Sequence, residues 1–188
     1  MRRPGIFVGA LVGLLLTAPL IVVSALANQL AGLPFIPYDV FPFIRDLTPG
    51  PILTFTIDTM VGTIRALNLG RVDEAAKVAE QAMSILMLIG IGIVAGALFF
   101  AVMRRSGIRR AVGGGFLLGL LVGIPIALIS RNVGLSSRTD NAMLNMVSII
   151  VLFVVWGLLH GWVYDRLTVL PDTTPTPINA ASMRKESL

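Results

Sequence analysis

The chain has 188 residues, of which 55% are hydrophobic and 13% charged, with a net charge of +5 and no cysteine. A soluble domain carries about 25% charged residues, so a water-soluble globule, a disordered chain and a nucleic-acid-binding domain are all excluded as classes. The missing thiols also exclude disulfides, a cysteine nucleophile and cysteine-held metal centres. A single histidine, His160, excludes all-histidine metal sites and bis-histidine haem ligation within one chain.

The first apolar window runs over 6–27, carries no charge and follows Arg2-Arg3. A bilayer core takes about 20 apolar residues as a helix, and a backbone in lipid must satisfy its own hydrogen bonds, which requires a helix. The alternative is a cleaved signal peptide ending at Ala25-Leu26-Ala27, although the apolar stretch exceeds the usual 7–15 residues or so.

Residues 28–81 form the longest segment outside the apolar windows. Its start carries Pro34, Pro37 and Pro42 among Phe35, Tyr38, Phe41 and Phe43. Proline at that density argues against a regular helix, and so many aromatic side chains belong at a membrane interface or under a partner. Pro49-Gly50-Pro51 opens a helix expected over 52–69, ended near Gly70. Leu53, Ile57, Met60, Val61, Ile64 and Leu67 fall on one face of it, with Thr54, Asp58 and Arg65 opposite. The segment reads as an amphipathic helix lying on the outer surface, the alternative being a re-entrant or fifth span. Asp58 and Arg65, seven residues apart, share a face, as a loose surface pair or as part of a docking face. Asp39 and Asp46 have no metal-ligand companions at a recognisable spacing. Asp73 is the expected N-cap of a helix continuous with the second window.

That window covers 82–103, and two more follow at 111–130 and 142–163, each free of charge. The turn between the second and third holds Arg104, Arg105, Arg109 and Arg110. By the positive-inside rule this turn is cytoplasmic, which also places both chain ends there. The expected architecture is an all-α integral membrane bundle of four transmembrane helices over 1–165, one amphipathic interfacial helix, and a flexible cytoplasmic tail over 166–188. The expected location is the inner (plasma) membrane of the cell.

Glycines recur at spacings of four in every window: Gly9 and Gly13, Gly92 and Gly96, Gly115, Gly119 and Gly123, Gly157 and Gly161. That spacing places them on one face, where close helix approach becomes possible. Pro19 and Pro125 lie inside the first and third windows and allow kinks. Asn145 and Ser148 begin the fourth and are expected to bond between helices, with solute binding second. His160, with Trp156, Trp162 and Tyr164, sits where interface anchoring is the ordinary role; quinone contact or haem ligation is the alternative, with His160 the sole cofactor-binding candidate. The spans hold no carboxylate pair, and no phosphate loop, nucleophile elbow or dinucleotide fingerprint occurs. No catalytic residue, metal site or resident cofactor is expected.

Several stretches are similar to a known family. They are Met1-Arg2-Arg3-Pro4-Gly5-Ile6-Phe7-Val8-Gly9-Ala10-Leu11, Ala31-Gly32-Leu33-Pro34-Phe35-Ile36-Pro37-Tyr38-Asp39-Val40-Phe41, Leu47-Thr48-Pro49-Gly50-Pro51-Ile52, Thr54-Phe55-Thr56-Ile57-Asp58 and Ala75-Ala76-Lys77-Val78-Ala79-Glu80-Gln81. They resemble the amino-terminal membrane region of bacterial sulfite-oxidase-like molybdopterin-dependent oxidoreductases. In that family the membrane part precedes an extracytoplasmic molybdenum-cofactor domain. Lacking cysteine, this chain cannot ligate molybdenum as those enzymes do. The resemblance implies a non-catalytic anchor or assembly subunit for a redox enzyme. Its docking surface would lie in 33–70, with Phe35, Tyr38, Phe41, Phe43, Asp58 and Arg65. The partners expected are the lipid bilayer, an extracytoplasmic redox subunit and further copies of the chain, with no nucleic acid. A small transporter or channel component, or a haem- or quinone-binding electron-transfer subunit, are the other readings.

Overall fold

A computed structural model describes residues 4–66, 72–106, 111–133 and 136–169. These residues form six helices and, among them, no strand: α1 Ile6–Ala31, α2 Ile36–Leu47, α3 Gly50–Ala66, α4 Val72–Ser106, α5 Val112–Val133 and α6 Ala142–Val169. Four helices are long and apolar enough to cross a membrane, namely Ile6–Ala31, Lys77–Ser106 within α4, Val112–Val133 and Ala142–Thr168. The chain is an all-α helical bundle with the features of a multi-pass membrane protein.

Two antiparallel pairs make the bundle, and glycines set both. In the first, α1 lies on α4. A Cβ built on Gly9 would fall 2.6 Å from the carbonyl oxygen of Gly96, and one on Gly13 would strike that of Gly92. In the second, α5 lies on α6. Gly115 faces Gly157, a Cβ on Gly119 would lie 2.5 Å from the Phe153 carbonyl oxygen, and one on Gly161 would lie 2.5 Å from that of Ala111. Gly123 faces the Phe153 side chain. Lipid tails are as apolar as leucine, so helix association in a bilayer rests on packing and close backbone approach.

Fewer contacts join the pairs. Trp156 Nε1 donates to Thr17 Oγ1 at 3.2 Å, linking α6 to α1. The rings of Phe100 and Tyr164 meet edge-on at 5.0 Å, linking α4 to α6. Between α4 and α5 an apolar cleft of about 740 Å³ remains, walled by Phe99, Met103, Leu117, Leu121 and Pro125.

The bundle has two unlike ends. Gly5, Ser106, Ala111 and Val169 lie at one, where Asp165 Oδ1 accepts the Ala111 N–H at 2.8 Å and satisfies a donor at the start of α5. At the other, α1 stops at Gly32, whose φ of 67° suits glycine. Its N–H bonds Asn28 O and that of Leu33 bonds Ala27 O. This end carries α2 and α3.

Helix α2 corrects the expectation that 33–44 is not helical. Pro37 stands in the first turn, where a missing N–H costs nothing. Pro42 removes one internal bond, but packing on α4 and α5 holds the helix. Ile36, Pro37, Asp39 and Val40 are buried. Helix α3 occupies the place of the expected amphipathic helix, starting two residues earlier, and packs on α4. Helix α4 runs unbroken from Val72, so Asp73 falls in its first turn and not at the N-cap. Its 35 residues span about 50 Å at 1.5 Å per residue, so it projects past a hydrocarbon core of about 30 Å. Helix α6 continues to Val169, beyond the expected boundary at 165. Residues 170–188 and the 107–110 part of the arginine turn lie outside the described residues.

The glycine seams generate a direct expectation. Gly92→Val and Gly157→Val are expected to destabilise the bundle by about 1–3 kcal/mol through forced separation of the backbones. Gly90→Ala and Gly113→Ala, whose added Cβ meets nothing within 4 Å, are expected to leave stability unchanged or slightly raised. Detergent-based thermal unfolding of the four variants checks this.

Candidate functional site

The chemistry-bearing side chains collect in two places. The first is the loop end. Asp39, on α2, is fully buried. Ser130 of α5 donates its hydroxyl to Asp39 Oδ2, and the backbone N–H of Ser136 donates to Oδ1 at 3.2 Å. Ser136 Oγ in turn accepts the Phe35 N–H at 2.8 Å. Asn28 Nδ2 donates to Leu33 O and Ser136 O. One carboxylate therefore ties α2, α5 and the 136–140 connection together. Burial of Asp39 raises its pKa above the ordinary value of 3.8, against the lowering effect of its bonds to Ser130 and Ser136.

In the sequence Asp39 has no second ligand residue at a recognisable spacing, so spacing assigns it no role. The signal present was a lone carboxylate inside an otherwise apolar, aromatic segment, which needs a partner wherever that segment is buried.

Asn145 joins the same end. Its Nδ2 donates to Ser137 Oγ at 2.7 Å and Thr139 O at 3.0 Å. Ser148 Oγ bonds Asn145 O within α6. Neither residue bonds directly between spans, which corrects that expectation. Asn145 braces the connection because Ser137 and Thr139 lie just before it in the chain. Asn145 Oδ1 is buried without a partner.

The second place is around His160, which is fully buried among Trp156, Phe99 and Tyr164. Its position in the core corrects the anchoring expectation. Trp162 suits that role better, being half exposed with the Arg166 guanidinium 5.3 Å from its ring centroid. His160 Nδ1 lies 2.9 Å from the Trp156 carbonyl oxygen. A carbonyl only accepts, so Nδ1 carries the proton and Nε2 presents a lone pair. That Nε2 is buried with no partner. His160 lines neither the cleft between α4 and α5 nor the cavities of about 230 and 180 Å³ at the loop end.

The aromatic residues expected on a docking surface separate. Phe35 is 8% exposed and belongs to the core with Ile36, Val40 and Ile126, so it offers no surface. Tyr38 and Phe41 are half-buried and line a pocket of about 230 Å³ with Lys77, Glu80 and Gln81. Phe43 and Asp58 are exposed. The Arg65 side chain lies outside those described. Leu47 and Phe55, also exposed, extend the apolar surface of this end. Among the described residues no group of three or more His, Cys, Asp or Glu comes together to hold a metal ion.

Comparison of the chain with known protein families, with curated proteins and with solved structures found no match in any of the three.

Two outcomes follow from the buried groups. Folding raises the Asp39 pKa, so its contribution to stability is complete below 3.8 and is lost as pH rises through the raised folded value. Asp39→Asn stays uncharged. Melting temperatures of wild type and variant should therefore agree at the acid end and separate at higher pH, wild type falling below the variant. For His160, removal of an orphan buried nitrogen relieves a penalty of about 1–3 kcal/mol. His160→Leu should be at least as stable as wild type in denaturant titration of the purified protein, and should give the same visible absorption spectrum.

Proposed function

We propose that the chain is a non-catalytic membrane subunit that anchors or assembles an extracytoplasmic redox partner of the molybdopterin type. The observation that carries this reading is the build of the loop end. One face of α2 is locked into the bundle by Ile36, Val40 and the buried Asp39. Phe43 and Leu47, and beyond them Phe55 on α3, remain exposed. A rigidly mounted apolar shelf at the end of a span bundle suits protein docking better than it suits bulk water. The redox character of the partner rests on the sequence resemblance alone.

In this reading the protein lies in the bacterial inner membrane with both chain ends cytoplasmic. The arginines flanking the turn after α4 support that orientation, and α2 and α3 then face outward. Transport is less well supported. The cleft between α4 and α5 is apolar, and each span, apart from the helix ends, lacks a charged residue to couple ions. One observation favours electron transfer as a second reading, the partnerless Nε2 of His160, which has the tautomer of a metal-ligating imidazole.

The test is a mild-detergent pull-down on a C-terminal tag, read by mass spectrometry and a visible absorption scan. A molybdenum or other redox subunit is expected to co-purify, and to be lost from the double variant Phe43→Ser/Phe55→Ser without a change in melting temperature. Recovery of the chain alone and colourless overturns both redox readings, and a haem band in the eluate favours the second.

A further inference from the structure

A cavity of about 180 Å³ opens at the loop end between the last turn of α5, the 136–140 connection and the first turn of α6. Ser130, Arg131, Thr139, Asp140, Asn145 and Met146 are among its lining residues. Its volume is several times that of one water. What the wall offers follows from bonds already made. The Ser130 hydroxyl proton is committed to Asp39, that of Ser137 to Thr139 O, and that of Thr139 to Ala31 O or Gly32 O. Asn145 Nδ2 is used twice, and its bond to a carbonyl fixes which end of the amide is the nitrogen. The hydroxyl protons and the amide nitrogen of the wall are therefore spent on the protein's own acceptors.

Two opposite charges complete it. Arg131 and Asp140 both line the cavity and both are exposed. Arg131 and Asp140 form no ion pair with each other. A ligand that fits carries an anion at one end and a hydrogen-bond-donating cation at the other.

The level of the cavity narrows the choice. It lies where α5 ends and α6 begins, at head-group depth for two helices of spanning length. Leu128, Met143, Leu144 and Val147 nearby expose apolar side chains toward the bilayer, which suits acyl chains.

We propose that this cavity takes the head group of a phosphatidylethanolamine lipid. The phosphate pairs with Arg131, and the ammonium donates to the Asp140 carboxylate. A trimethylammonium group has no N–H to give the Asp140 carboxylate, and a glycerol head group has no cation to pair with it. The site therefore discriminates against phosphatidylcholine and phosphatidylglycerol. It is independent of any partner on α2 and α3.

The experiment uses the full chain in detergent micelles doped with each of the three lipids, read by native mass spectrometry and by thermal shift. Phosphatidylethanolamine is expected to be retained about tenfold more than either other lipid, a ratio within reach of one charge-assisted hydrogen bond. Arg131→Gln and Asp140→Asn, both at exposed positions, are expected to bring it down to the level of phosphatidylcholine at an unchanged lipid-free melting temperature. Equal retention of the three lipids, or undiminished selectivity in both variants, overturns the proposal. Equal protection by O-phosphoethanolamine without acyl chains also overturns it, and makes the occupant a soluble zwitterion.

Discussion

Close contact between helix backbones is the condition on which the bundle depends. A bilayer gives two apolar helices little reason to associate through side-chain burial. What remains is dispersion, which grows steeply as atoms approach, and only glycine lets two helix axes come that near. Gly9 and Gly13 provide this on α1 and Gly92 and Gly96 on α4, while Gly115, Gly119, Gly157 and Gly161 provide it between α5 and α6. The aromatic residues then fill the space the seams leave: Phe100 and Tyr164 at the arginine end, Phe153 and Trp156 nearer the loops.

The loop end works by a different rule. There the chain leaves helical geometry, so backbone groups lose their internal partners and side chains supply them. Asn28, Ser136, Ser137 and Thr139 each serve a carbonyl or N–H from another segment. Asp39 is the most demanding member, because a buried carboxylate is tolerated only with hydrogen bonds. Its two bonds reach both α5 and the connection after it, while α2 also packs on α4. One short helix thus bridges the two glycine-sealed pairs.

The spans were legible because apolar length is a strong signal. The windows at 6–27, 82–103, 111–130 and 142–163 fall inside α1, α4, α6 and, but for residue 111, α5, and the helices extend past them where polar residues still permit helical geometry. Helix α2 was hidden because local proline chemistry argues against a helix, whereas tertiary burial of Ile36 and Val40 decides for one. The role of Asp39 was hidden for a related reason. Ser130 and Ser136 lie more than 90 positions away along the chain, and one sequence without its contacts does not join them. His160 was misplaced because depth along a helix can be counted from sequence, but the direction a side chain faces depends on neighbouring helices. Phe99, which closes over it, comes from α4.

The order of the helix pairs along the chain bears on how the protein is made. Helices α5 and α6 are consecutive, and the Asp165 carboxylate that completes the start of α5 arrives at the end of α6. This hairpin becomes self-sufficient as soon as its second strand of glycines has been synthesised. Helix α1 has no such neighbour. Its seam is complementary to Gly92 and Gly96, which leave the ribosome only after α2, α3 and half of α4. During that interval the helix face that closes the α1 seam does not yet exist.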